Sequence, residues 1–262
     1  DIYGWDFINN DGNPMDDNSH GTHCAGSAAA ETNNSKGIAG ASPGAKIMGV
    51  KVLQSSGIGN SANIAQGILY AANNGATVIS MSLGGNTPSS VRKNALSVAY
   101  AYSFLVAAAG NDQKCIGEPN PFYICPLGGK KPAINYPAAY PFVLGVESTQ
   151  LDGNLSGFSN YDQDGPYASK YAELLGYEVK APGTQIISTI PSNGLSSNRF
   201  GFKSGTSMAT PALAGGIALL KSFKSTITNN SLFTQLIRSQ TQCVNLLDAL
   251  LNEYPAEFEL IS

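Results

Sequence analysis

Charged side chains are scarce here: Asp, Glu, Lys and Arg make up 13% of the 262 residues, and the two signs nearly cancel at a net −3. With no basic excess to neutralise phosphates, nucleic acid is not an expected partner. Histidine occurs only twice, at His20 and His23. A histidine-based metal centre needs three or four ligands, and no third imidazole exists to complete one, so no metal site is assigned. No apolar run approaches the ~20 residues that cross a bilayer, so no membrane span is expected. A signal peptide is absent too, yet the chain opens abruptly at "DIYGWDF", as it would had a leader been removed.

Cysteine is sparse as well, with Cys24, Cys115, Cys125 and Cys243. Cys115 and Cys125 flank a Pro-rich loop, "CIGEPNPFYIC", of the kind a disulfide closes, and a bridge between them is expected over two free thiols. Sequons at Asn33, Asn154 and Asn229 permit glycosylation, although such triplets also arise by chance. A secreted or lumenal setting is favoured.

What is plentiful is apolar and small: 42% of residues are hydrophobic and 29 are glycine. That content rules out a disordered chain and suits tight helix–sheet packing. Strand and helix patterns alternate. "KIMGVKVL" (46–53), "TVISMSL" (77–83), "FLVAAAG" (104–110) and "YPFVLGVES" (140–148) read as buried strands. Between them, 61–76 and 89–102 read as amphipathic helices; 207–223 reads as a long buried helix with Pro211 in its first turns. From 149 to 204 the texture turns to Gly, Ser, Asn and Pro with short β pieces such as "TQIISTI", and helices around 231–238 and 244–252 close the chain. The expectation is one α/β domain over 1–262, with a mostly parallel central sheet and helices on both faces.

In such sheets the carboxyl ends of strands and adjoining helix N-termini carry the chemistry, and three motifs fall there. In "DDNSHGTHCAG" (16–26), Asn18 or Ser19 is placed to cap a helix with His20 in its first turn, facing the cleft, and His23 a turn deeper. His20 is read as a proton-moving group, with a core or capping role as the bland alternative; His23 is read as a buried structural histidine. In "KSGTSMATPALAGG" (203–216), Ser207 lies at a loop-to-helix junction where amide dipoles favour developing negative charge, although "GTS" alone is also a common cap. In "VAAAGND" (106–112), Asn111 presents an amide at a strand's carboxyl end, where it can donate to an oxyanion or simply form a turn.

Taken together, "SHGTHCAG", "SLGG" (82–85), "AAAGN" (107–111) and "GTSMATPALAG" (205–215), with "GWDFINND" (4–11) ahead of them, resemble the signatures of the subtilisin-like serine peptidases in order over nearly the whole chain. The resemblance implies a subtilisin-like fold and an endopeptidase with Ser207 as nucleophile, His20 as general base, and Asn111 with the Ser207 N–H as oxyanion hole. It implies that Leu83, Gly84 and Gly85, with Ala107, Ala108, Ala109 and Gly110, line the substrate cleft, and that "SLGG" pairs with an extended peptide as an added strand. Asp16 and Asp17 resemble acidic residues beside that cleft. Cys24 resembles a reduced thiol beneath the histidine. Peptide or protein substrates are the implied partners. No cofactor is required, and structural calcium is a family habit for which the Asp/Asn-rich turns "NNDGNPMDDN" and "SNYDQDG" offer oxygens.

One family feature is not found. The orienting aspartate sits at the end of an early strand before "GWDFINND", and the chain begins at that point, so the Asp is expected upstream of residue 1. The missing N-terminal segment, or an inhibitory propeptide, is thus a further expected partner. Asp152 and Asp248 lie in a turn and a C-terminal helix and do not replace it. The rival reading is an inactive pseudopeptidase or peptide-binding fragment of the same fold. An α/β-hydrolase has the order Ser…Asp…His, whereas here His20 precedes Ser207; a chymotrypsin-like fold is all-β, and a metallohydrolase lacks ligands.

Overall fold

A computed structural model describes residues 2–113, 115–116, 135–162, 179–192 and 199–238. The expected Cys115–Cys125 bridge and the helix at 244–252 fall outside the described residues. The chain runs β1 (Ile2–Asp6), α1 (His20–Ala29), β2 (Met48–Lys51), α2 (Ser61–Asn73), β3 (Val78–Met81), α3 (Ser90–Ala99), β4 (Phe104–Ala108), β5 (Cys115–Ile116), β6 (Leu144–Thr149), β7 (Tyr161–Asp162), β8 (Val179–Pro182), β9 (Ile186–Thr189), β10 (Phe200–Lys203), α4 (Thr206–Phe223) and α5 (Asn229–Arg238).

The central sheet is parallel and four-stranded in the order β3-β4-β6-β8, with Ser80 opposite Val106, Val106 opposite Leu144 and Val146 opposite Val179. β4 and β6 are buried at every position. That is why "FLVAA" and the end of "YPFVLGVES" read as unbroken apolar runs rather than alternating ones. Alternation is still at work inside β4. Leu105 and Ala107 join Ile64 and Ile68 of α2, Leu96 of α3 and Met81 of β3 in one core. Phe104 and Val106 face the other way, into a core with Leu144, Leu213 and Ile217 of α4, and Leu232 and Leu236 of α5. The expected architecture, helices on both faces of a mostly parallel sheet, is the one observed.

Two helices start at capping residues their sequences supply, and both end earlier than expected, α3 at Ala99 rather than 102. Asn60 accepts from the Asn63 N–H at 2.8 Å to start α2, and Ser89 accepts from the Arg92 N–H at 3.3 Å to start α3. α2 stops at Asn73, short of the expected 76, and the chain reverses at Gly75 with φ +82. In α5, the Asn229 Nδ2 donates to the Tyr100 and Ser103 carbonyls, tying the helix to the end of α3 and committing that sequon's nitrogen.

β1 was not foreseen as a strand. It pairs in parallel with β2, Trp5 opposite Val50, as a separate two-stranded unit. Although Met48 and Val50 of β2 pack on the same core as Ile79 and Met81 of β3, the two strands are not hydrogen-bonded to each other, so β3 is an edge of the main sheet. The last element that matters to the site is the antiparallel hairpin β9–β10, Lys203 opposite Ile186, which leads into α4 four residues before Ser207.

Candidate active site

Ser207 is the second residue of α4. In a helix its carbonyl would accept from the N–H of residue 211, but that residue is Pro211, which has none. The vacated acceptor is taken from the side: Ser82 Oγ donates to Ser207 O at 2.8 Å and Cys24 Sγ donates to it at 3.4 Å. Ser82 follows the end of β3 and Cys24 lies on α1, so one proline draws three distant segments together at the serine. Ser207 Oγ is turned toward the Ser82 carbonyl at 3.4 Å. Its N–H, in the first turn, has no carbonyl four residues back inside the helix.

Asn111 follows β4 at the loop expected from "VAAAGND". Its Oδ1 accepts from both the Thr206 N–H at 2.9 Å and Thr206 Oγ1 at 3.0 Å. Two donors on one atom identify that atom as the oxygen and leave Nδ2 as the outward donor; Gly205 lies beside Nδ2, so closely that a Cβ there would sit 3.3 Å from it. Gly205 has φ +157 and starts α4 without a side-chain cap. Thr206, fully buried, also accepts from the Gly110 N–H at 3.1 Å. Thr206 therefore aims the amide of Asn111, a role that nothing in "GTS" announces.

His20 opens α1, half-buried, with Nδ1 4.0 Å from Cys24 Sγ. Burial lowers its pKa, and the nearby Lys203 ammonium adds to that, while Asp16 opposes both. The ring is thus held neutral, the form a general base requires. Burial pushes the Cys24 thiol up to about 11, so it stays a protonated donor and free. His23 is fully buried, as expected: Nε2 lies 3.0 Å from Ile186 O and 3.1 Å from Gly201 O, which makes it the protonated nitrogen, and Nδ1 has no partner. Burial lowers the pKa of His23 against the help of those two carbonyls. This ring braces α1 against the β9–β10 hairpin.

The cap expected from Asn18 or Ser19 comes instead from Asp16. Its Oδ1 accepts from the N–H groups of Asn18 at 2.9 Å and Ser19 at 2.8 Å, and its Oδ2 from that of Thr22 at 2.7 Å. Ser19 holds the N-cap position with φ 71, a left-handed turn that swings its hydroxyl off the helix end. Burial disfavours the Asp16 charge, but bonds from Thr22, Asn18 and Ser19 outweigh it and hold the carboxyl below its usual range. Asp17 pairs with Lys51 at 2.5 Å.

The cleft residues divide. Leu83 and Gly84 follow Ser82 with the Gly84 Cα against the Asn135 carboxamide, so that a Cβ there would come within 2.5 Å of it. Gly85 exchanges both main-chain hydrogen bonds with Tyr136, at 3.0 and 2.9 Å, so it has no free group for an added peptide strand. Ala107 and Ala109 are fully buried, Ala107 within the core. The Ala108 carbonyl accepts from Asn135 Nδ2 at 3.0 Å and that of Ala109 from Asn160 Nδ2 at 2.9 Å. Asn135 and Asn160 thus stiffen the strip up to Gly110, and both escaped the sequence reading because an Asn in a Pro-rich or Ser-rich loop looks like any turn residue.

Among the described residues no group of three or more His, Cys, Asp or Glu is arranged to hold a metal ion. In the Asp-rich turn named as a calcium candidate, Asp11 accepts from the Asn13 N–H and Asp16 is spent on α1, so these carboxylates already serve protein donors. No described helix is long and apolar enough to cross a membrane.

The order of strands and helices is that of a subtilisin-like fold. Residues 1–253 match the model of the subtilase family. The chain is 44% identical over 222 residues to thermitase of Thermoactinomyces vulgaris, covering 84% of this chain and 67% of that protein. It is 41% identical over 222 residues to a thermophilic serine proteinase of Bacillus sp. (strain AK1), covering 84% of this chain and 47% of that one, so it spans about half of that relative. A crystal structure of a cold-adapted subtilisin-like serine proteinase superposes with a TM-score of 0.71 at 29% identity, over 94% of this chain and 77% of the other. The chain belongs to the subtilase family.

Proposed function

We propose that this chain is the major part of an endopeptidase that cuts peptide and protein substrates through an acyl-enzyme. Ser207 Oγ attacks the scissile carbonyl while His20 takes its proton. Asn111 Nδ2 and the Ser207 N–H donate to the oxyanion, and His20 returns the proton to the departing amine. Water then repeats the sequence on the ester. The observation that carries this reading is the bonding around one carbonyl: Ser207 O receives Ser82 from just past the end of β3 and Cys24 from α1, and the same Cys24 Sγ lies 4.0 Å from His20 Nδ1. The chemistry draws on no metal.

His20 Nδ1 needs a carboxylate to hold its tautomer, and among the described residues it meets only Cys24. We assign that carboxylate to an aspartate on a strand upstream of residue 1, lying between β2 and β3. The open edge of β3 supports this, as does the shared core that β2 and β3 pack against without bonding to each other. A fluorophosphonate probe tests the function directly. Labelling confined to Ser207, and lost in Ser207→Ala, is expected; an unlabelled serine, with peptide still bound, would establish the rival reading of a peptide-binding relative. Labelling of the 262-residue chain at the same rate with and without its upstream polypeptide would refute the strand. A secreted or lumenal setting, with a Cys115–Cys125 bridge, belongs to the same proposal, and a mass two hydrogens below that of the reduced protein is its test.

A further inference from the structure

Past the end of β4 the Ala109 N–H still bonds Val146 O of β6 at 3.0 Å, and the chain then turns through Gly110, whose φ is +106. The segment 158–160 holds the turn from there. On one flank of Asn111, Asn160 Nδ2 donates to Ala109 O at 2.9 Å and the Asn160 N–H donates to Gly110 O at 2.8 Å. On the other flank, the Asp112 N–H donates to Asn160 Oδ1 at 3.0 Å and the Gln113 N–H to Phe158 O at 2.9 Å. Asn160 is fully buried, and its amide donates to one flank and accepts from the other, which settles which atom is the nitrogen. A Cβ on Gly110 would fall 2.4 Å from Asn160 Nδ2, so the glycine leaves room for this amide. Asn160 is itself tied to β6: Ser159 Oγ accepts from the Ser148 N–H at 2.9 Å and donates to Asn160 O at 2.7 Å.

Two side-chain torsions separate the Asn111 backbone from its amide. Thr206 fixes the far end of that side chain, at Oδ1. Asn160 fixes the near end, by holding the main chain on both sides of Asn111. With both ends held, the direction of Nδ2 is set before a substrate arrives. An oxyanion donor works through that preorganisation, because no reorientation is then needed as charge develops.

We propose that Asn160 is a positioning residue for the oxyanion donor, acting through Asn111 rather than on the substrate. The inference rests on the peptidase reading with Asn111 as that donor.

The test pairs kinetics on a peptide anilide with the binding of two inhibitors of one peptide sequence, a trifluoromethyl ketone and the corresponding alcohol. Ser207 Oγ adds to the ketone carbon as its proton passes to His20, and the former carbonyl oxygen takes the negative charge; the alcohol forms no adduct. The protein is used with whatever upstream polypeptide its fluorophosphonate labelling requires. Asn160→Ala should lower kcat about tenfold, the size of one lost orienting hydrogen bond, with KM unchanged. Affinity for the ketone should fall by about the same factor and affinity for the alcohol should not change. In an Asn111→Ala background, Asn160→Ala should have no further effect on ketone binding. Asn160→Ser keeps the main-chain bond to Gly110 O but is too short to reach both flanks, so it gives the same reading should Asn160→Ala not fold. Equal losses for ketone and alcohol would mark a general packing role and overturn the proposal. Ketone affinity unchanged in the Asn160 variants would overturn it too, as would an undiminished loss in the Asn111→Ala background. Full ketone affinity in Asn111→Ala alone would remove the oxyanion assignment and the proposal with it, while Ser207 labelling leaves the peptidase reading standing. Failure of Ser207 to label under any condition would remove both.

Discussion

Replacing Thr206 by Val keeps the shape of a fully buried side chain and deletes one oxygen. Two hydrogen bonds go with it: the 3.0 Å donation to Asn111 Oδ1 and the 3.1 Å acceptance from the Gly110 N–H. The stranded Gly110 N–H costs about 1–3 kcal/mol of stability. The catalytic effect is a separate quantity. Asn111 keeps the 2.9 Å bond from the Thr206 N–H, so its amide is loosened rather than released. Losing one of two orienting bonds, worth about 1–1.5 kcal/mol, should slow acylation of Ser207 about tenfold. The figure for removing an oxyanion donor outright, ~10²–10³ in turnover, comes from a subtilisin and is a benchmark here rather than a prediction. Fluorophosphonate labelling rates for Thr206→Val, Asn111→Ala and the double variant provide the assay, with unfolding monitored in parallel. If Thr206 acts through Asn111, the double variant should be no slower than Asn111→Ala alone. Full additivity of the two losses would refute the reasoning, since Thr206 would then be acting by another route.

The acid limb of the labelling rate should have its midpoint below the ordinary histidine value of about 6.5, because burial and then Lys203 lower the His20 pKa against the pull of Asp16. Lys203→Met should move that limb to higher pH, and a shift the other way would contradict the assigned field. His23→Phe removes a donor shared by the Ile186 and Gly201 carbonyls and should cost about 1–3 kcal/mol, read as a lower Tm; an unchanged Tm would refute the bracing role. In the native protein both histidines are held neutral, so the unfolded chain binds more protons below about pH 6.5, and stability should fall as pH drops through that value. Mercurials should inhibit through Cys24, whose thiol lies between His20 and the Ser207 carbonyl, and Cys24→Ser should abolish that inhibition while keeping a donor to the carbonyl. Inhibition unaltered in that variant would count against it.

What could be read from the chain follows from how far each signal has to reach. The buried strands were legible because β4 and β6 are covered on both faces, so their sequences carry no polar interruption to confuse the period. α4 was legible because its small residues recur on a packing face; a Cβ on Gly215 would sit 2.5 Å from the Ala28 carbonyl of α1, so the motif's glycine records that approach. His20, Asn111 and Ser207 stood out by type and by order. The supporting residues did not. Ser82 bonds a partner 125 positions away and Thr206 one 95 away, and neither separation leaves a local trace. The capping residue was misassigned to its neighbours because the choice between Ser19 and Asp16 turns on one dihedral, the φ of 71 at Ser19, that composition does not encode. Pro211 lies between these cases. As a residue in the first turns of a helix it was read correctly, and the unfilled Ser207 carbonyl follows from its four-residue spacing to Pro211, but the side chains that fill it come from distant segments that the sequence does not connect. That spacing has a physical reason: the proline withholds the helix's own donor from the serine, and side chains from α1 and from just past the end of β3 supply it, fixing the serine's backbone to neighbouring elements of the site.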